Sequence, residues 1–137
     1  MRRPGLSGSR RRAALLGALA ALAIGATGPA GAQGTSSDTK PYDDKLMRLS
    51  EILGAVHYLR ELCGSSDGQK WRDQMRELMD TEGSSALRRA KLTRSFNNGY
   101  RSYSRTYNSC TPSALTAINR FLTEGVEIAE ALMKSVP

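Results

Sequence analysis

The sequence predicts an all-α protein: a small four-helix bundle of up-down type whose first and third helices are tied by a disulfide. Three observations predict it. From about residue 42, apolar residues recur at steps of three and four through four successive stretches. Residues that start or stop helices bound these stretches. One short alternating run, Arg101, Tyr103, Arg105 and Tyr107, could read as a strand, but no partner strand is evident and an isolated strand is not viable.

The first helix is expected from about Tyr42 to Leu62. Leu49, Ile52, Leu53, Val56, Leu59, Leu62 and Cys63 share one broad face. Ser50, Glu51, Gly54, His57, Tyr58 and Glu61 fall on the other, which reads as the polar side. Gly64-Ser65-Ser66-Asp67-Gly68 is a stop and a loop. A short second helix follows, about Gln69 to Thr81, with an apolar stripe of Trp71, Met75, Leu78 and Met79. Gly83 can end it, and Ser84 or Ser85 can cap the third helix. That helix is expected to reach about Ser109, with Leu92, Phe96, Tyr100, Tyr103 and Tyr107 on one face suited to a core. Asn97-Asn98-Gly99 conflicts with it locally, being a turn-type sequence that predicts a kink. Thr111 as N-cap and Pro112 at the first helical position open the fourth helix. Its expected core face is Ile118, Phe121, Leu122, Val126, Ile128, Ala129, Leu132 and Met133. Gly54 and Gly125 each cost a helix roughly 1 kcal/mol against Ala, which close helix approach could offset.

Ahead of the helices lies a different kind of segment. Arg2, Arg3, Arg10, Arg11 and Arg12 precede an apolar run from Ala13 to Ile24, then Gly25, Gly28 and Pro29, then Ala30-Gly31-Ala32. Basic, apolar and small-residue regions in that order predict a signal peptide over residues 1–32, cleaved between Ala32 and Gln33. The apolar run is too short to span a membrane, which takes about 20 residues, so no stable span is expected after cleavage. Ser9-Arg10-Arg11 hints at twin-arginine export, but Ala13 and Ala14 stand where bulkier residues are usual, which favours general secretion. Residues 33–41 read as a flexible linker and 42–137 as a single helical domain.

The chain carries 20 Lys and Arg against 13 Asp and Glu, with a net charge of +7. All five cations of residues 1–32 leave with the signal, and no acid does, so the processed chain is +2. The basicity that would suggest nucleic acid is therefore mostly targeting signal, and no nucleic-acid partner is expected.

An exported chain with two cysteines, Cys63 and Cys110, is expected to join them. Each closes a helix, and in an up-down bundle those two ends meet. A bridge there should stabilise the fold by about 4 kcal/mol on the chain-entropy account.

Little in the sequence points to catalysis. The lone histidine, His57, lies four residues before Glu61. It reads as a general base oriented by a carboxylate, or as an exposed polar pair on a helix. Asp43-Asp44 suit the first turn of a helix. No nucleophile elbow, phosphate loop, zinc-protease or haem-attachment motif is present, so no cofactor or metal is expected.

The distinctive segment is the third helix, where Arg88, Arg89, Lys91, Arg94, Arg101 and Arg105 occur with no acid between Ser84 and Cys110. These six are the candidate partner-binding residues, facing an envelope protein or another anionic envelope component. The rival reading pairs them with Asp73, Glu77, Asp80 and Glu82 of the second helix.

Taken in order, Tyr42-Asp43, the block 48–64, Trp71-Arg72-Asp73-Gln74-Met75, Phe96-Asn97-Asn98-Gly99-Tyr100, Tyr107-Asn108-Ser109-Cys110-Thr111-Pro112 and Glu124-Gly125 form a specific set. The set resembles a small family of alphaproteobacterial exported proteins, found mainly in rhizobia and their relatives and catalogued as a domain of unknown function. The resemblance covers nearly all of the chain after Ala32 and takes in both cysteines. It implies a Gram-negative periplasm and supplies no catalytic residue. The expected function is a non-enzymatic periplasmic binding or scaffold component. The alternatives are a small envelope enzyme using His57 or carboxylates in an interhelical groove, or an envelope chaperone or inhibitor.

Overall fold

The computed structural model describes residues 38–135. The expected signal peptide, its expected cleavage position at Ala32 and Gln33 and most of the expected linker lie outside the described residues. Four helices follow one another: α1 Asp43–Leu62, α2 Gly68–Glu82, α3 Ala86–Thr106 and α4 Pro112–Ser135. Local chemistry sets their ends. The Ser85 hydroxyl accepts the Arg88 N–H at the start of α3, and Thr111 Oγ1 accepts the Ala114 N–H at the start of α4. Past α1, Gly64 takes φ +76°, and its N–H and that of Ser65 return to the Glu61 and Arg60 carbonyls. That left-handed step suits glycine.

Cross-helix contacts fix the directions. Asp43 meets Arg88, Gly54 abuts Phe96, and Tyr58 donates to the Tyr107 carbonyl, so α1 and α3 run parallel. His57 meets Gly68 while Tyr42 meets Glu82, so α2 runs antiparallel to α1. The order is up-down-up-down, as the sequence predicts. The disulfide joins Cys63, just past α1, to Cys110, in the connection from α3 to α4, with Cα atoms 4.8 Å apart. α3 ends at Thr106 rather than Ser109, so the bridge reaches the segment after the helix.

The bundle is centred on α1. Leu46, Ser50, Ile52, Leu53, Gly54, Ala55, Val56, His57 and Leu59 are all buried, so three residues of the expected polar side, Ser50, Gly54 and His57, are not on the surface, while Glu61 is. Ser50, Gly54 and His57 face α3 instead. The Ser50 hydroxyl donates to the Leu46 carbonyl within its own helix and needs no water. Gly54 and Gly99 form the closest approach. A Cβ on Gly54 would lie 2.8 Å from the Phe96 carbonyl carbon, and one on Gly99 2.8 Å from that of Glu51. Asn97-Asn98-Gly99 therefore makes no turn; α3 runs on through it, and Gly99 is where α1 is admitted. Gly125 has no such role, since a Cβ there would meet only the Ile52 side chain at 3.5 Å.

Apolar packing falls into two clusters. Ile52, Val56 and Leu59 meet Ala114, Ile118 and Phe121 of α4. Leu46 and Leu53 meet Met75 of α2, Leu92 of α3 and Leu132 of α4. The α3 aromatics line the α1 side as half-buried residues. Tyr100 sits edge-on to Tyr58 at 5.3 Å, and Tyr103 edge-on to Phe121 at 5.0 Å. α2 and α4 each pack extensively on α1 and at most marginally on one another.

Candidate functional site

The six cations of α3 separate into two groups. Arg88 is 2% exposed. Its Nη2 lies 2.6 Å from Asp43 Oδ1 and 3.4 Å from Glu82 Oε2, its Nε donates to the Glu82 carbonyl at 2.5 Å, and its Nη1 donates to the Asp38 carbonyl at 3.0 Å. A buried guanidinium needs this many acceptors to offset its lost hydration. Burial acts to raise the Asp43 carboxyl; contact with Arg88, the Lys40 backbone N–H and the charges of Arg88 and Lys91 outweigh it and hold the group below its ordinary range. Arg88 is thus a structural clasp between α1, α2 and α3 and presents no charge to a partner. Arg89 leans the same way, reaching Asp80 at 3.8 Å and the Met79 carbonyl at 3.1 Å. The expected pairing with second-helix acids holds for these two.

Lys91, Arg94, Arg101 and Arg105 are exposed and, among the described residues, form no salt bridge. At 100° per residue they fall within an arc of about 80°, on the solvent side of α3. Leu87, 44% exposed, shares that face.

His57 is buried, which corrects the expectation of an exposed polar pair. Its Nδ1 lies 2.9 Å from the Gly68 carbonyl, an acceptor only, so Nδ1 carries the proton and donates. The ring packs against Phe96 at 6.0 Å and Tyr100 at 5.7 Å. Glu61 stays 3.9 Å away and half exposed. The imidazole thus holds the first turn of α2 onto α1. Next to it, Arg60 and Asp67 close the α1–α2 loop at 2.6 Å, and Arg60 with Ser65 keeps the Asp67 carboxyl well below the usual range. Trp71 Nε1 is buried without a hydrogen bond of good geometry, although it stands near enough to Asp67 to help hold that charge. On α4, Glu124 takes Arg48 through both oxygens, at 2.6 and 3.0 Å, and Arg48 holds its carboxyl down against the opposing effect of burial. Among the described residues no three His, Cys, Asp or Glu side chains converge to hold a metal ion. No described helix is long and apolar enough to cross a membrane.

One feature was not anticipated. Because α2 and α4 do not close on each other, a groove of about 790 Å³ runs between them, within the range of small-ligand sites. Leu46, Leu49, Leu53 and Val56 of α1 form its floor. Trp71, Gln74, Leu78 and Thr81 of α2 form one wall, and Leu122, Val126, Ala129 and Met133 of α4 the other. Val126 is 59% exposed and Met133 72%, so these two are not core residues as their spacing suggests. A helix facing a groove and a helix facing a core show the same three- and four-residue repeat. The only usable signal was the width of the apolar stripe on α4, broader than one packing partner requires.

These features define a class: a disulfide-bridged, all-α four-helix domain. A family model described as "Protein of unknown function (DUF2385)" matches residues 41–135, and the chain belongs to that family. No curated protein and no solved structure matches it.

Proposed function

We propose that this chain is a non-enzymatic, periplasmic binding or scaffold component of an alphaproteobacterial envelope. On this reading it is exported by its N-terminal signal and released by cleavage between Ala32 and Gln33. It engages an anionic envelope partner through the outer face of α3. The carrying observation is that Lys91, Arg94, Arg101 and Arg105 share one exposed face without ion-pair partners among the described residues. Free cations in a row raise the local concentration of an anionic partner and speed its encounter. The export signal supports the compartment, and the bridged cysteines suit an oxidising one.

The test is crosslinking and pulldown from envelope extract with the purified protein and with a K91E/R94E/R101E/R105E variant. Loss of the same partner bands in the variant is expected, together with weakening of wild-type capture as salt rises. An unchanged set of partners in the variant refutes the assignment. All four residues are exposed; because the Lys91 charge also steadies Asp43, R94E/R101E/R105E, whose thermal melt should match wild type, serves as the folding control.

A further inference from the structure

The groove between α2 and α4 is independent of the α3 surface and points to a second ligand. We propose that it docks one amphipathic α-helix of another protein, apolar on one face and flanked by lysine or arginine. The apolar part follows from the lining. Leu122, Val126, Ala129 and Met133 recur at steps of four, three and four, a ridge about 17 Å long at 1.5 Å per residue. Three turns of a guest helix match that length. Solvent exposure of Val126 and Met133 beside a continuous apolar floor is the signature of a surface built to be covered. A helix laid in a groove between two helices reuses the packing of the bundle itself.

Charge selects among occupants. Among the described residues, the charged ones lining the groove are Glu77 and Glu82. Glu82 shares Arg88 with Asp43, leaving that trio one negative charge in excess, and Glu77 is exposed without a salt bridge among the described residues. On the other lip, Glu130 follows Val126 by four residues and precedes Met133 by three, which sets it beside the ridge, and Glu127 lies farther round. Of the cations that touch lining residues, Arg88 is taken up by Glu82 and Asp43, Arg48 by Glu124 and Glu51 with its guanidinium over the Phe121 ring, and Arg120 and Lys70 stand over the Phe121 and Trp71 rings. A fatty acid or anionic lipid would bring a further negative charge to a lining with no cation. A second copy of this chain would bring an α4 ridge flanked by the same glutamates into an acidic groove. A helix with cationic flanks satisfies both the apolar floor and the acidic lips.

The probe is a fluorescent amphipathic peptide of four to five turns, leucine on one face and lysine on the flanks, titrated against the purified protein. A matched peptide with glutamate for lysine is the control. The lysine peptide should bind about tenfold more tightly than the glutamate peptide. V126E/M133E should weaken it by about tenfold or more with an unchanged melt, because both side chains are already exposed. E77K/E130K should reverse the preference between the two peptides. Equal binding of both peptides, no binding of either, or indifference to V126E/M133E overturns the proposal. So does displacement of the bound lysine peptide by palmitate, or a dimer in sedimentation velocity that V126E/M133E dissociates; these outcomes give the groove to a lipid or to a second copy.

Discussion

Replacing either glycine of the α1–α3 crossing by alanine should destabilise the fold strongly, and replacing both should cost little more than replacing one. The built Cβ on Gly54 would sit 2.8 Å from the Phe96 carbonyl carbon and 3.1 Å from Tyr100 N; on Gly99 it would sit 2.8 Å from the Glu51 carbonyl carbon and 3.0 Å from Ala55 N. Ordinary contact begins at 3.4 Å. Every obstacle is backbone, so no side chain can swing aside. The helices must part by roughly 1 Å, which forfeits up to about half of the dispersion attraction along the seam. Overpacking of this kind typically costs about 1–3 kcal/mol, and backbone on both sides places it at or above the top of that range. The better helix propensity of alanine returns about 1 kcal/mol. Each single variant should therefore lose about 2–3 kcal/mol, a drop of roughly 10–15 °C in Tm for a domain of this size. Once the helices have parted for one methyl, the other finds room, so G54A/G99A should fall well short of the sum. Urea and thermal denaturation of the four proteins, disulfide intact, measure this. A single variant within about 0.5 kcal/mol of wild type, or a strictly additive double variant, refutes the account of the crossing.

Two further outcomes follow from the bridge and the clasps. Reduction, or C63S/C110S, opens a loop with a sequence separation of 47 residues; the chain-entropy account gives a loss of about 4 kcal/mol, read from urea midpoints of oxidised and reduced protein, and a loss below about 1 kcal/mol would contradict it. The carboxyls of Asp43, Asp67 and Glu124 are all held below their ordinary values in the folded state, so their contribution is present above the unfolded carboxylate pKa and lost as pH falls through the folded values. Melting temperature should fall as pH drops below about 4, and stability that rises on acidification through that range would show that these ion pairs are not the ones at work.

The helices were legible because their ends are local chemistry. Ser85, Gly64 and the Thr111-Pro112 pair act within one turn of their own positions, and each acts as its residue type predicts. The disulfide was legible from the bundle topology together with the export expected of the N-terminal segment. What a linear reading missed depends on residues far apart. Ser50, Gly54 and His57 resemble a polar surface because they are small or ionisable; smallness is what lets α3 approach, and the His57 donor finds its acceptor 11 residues on. Arg88 resembles its neighbours in every sequence property, and only its partner Asp43, 45 residues earlier in the chain, distinguishes it. The spacing of the α3 aromatics predicts a core face, and Phe96, Tyr103 and Tyr107 do pack against the buried clusters, though only half-buried themselves. The groove is hard to read for a simpler reason: the spacing of the α4 repeat does not tell an apolar neighbour from an empty one, and only the width of its apolar stripe hints at the difference.

The groove also needs a reason to stay open, since apolar walls on both sides would gain by closing. The polar contacts supply one. α2 is fastened to α1 at its start by His57 to Gly68 and by Arg60 to Asp67, and at its end by Tyr42 on Glu82 and through Arg88 of α3, which holds both Glu82 and Asp43. α4 is fastened to α1 by the two-pronged Arg48–Glu124 pair, and its leading end is tied through Cys110 to Cys63. None of these contacts joins α2 to α4. Each fixes one wall to the common floor, with a directional geometry that a sliding helix would lose. Closing the gap would require tilting α2 away from two anchored ends, or rotating α4 about a bidentate ion pair. Val126 and Met133 are already partly buried, so covering them would return only part of the roughly 1.5–3 kcal/mol of a fully exposed side chain, while either movement forfeits hydrogen bonds to charged groups or to a carbonyl. The balance leaves an apolar face in water, which is the state a docking partner would exploit.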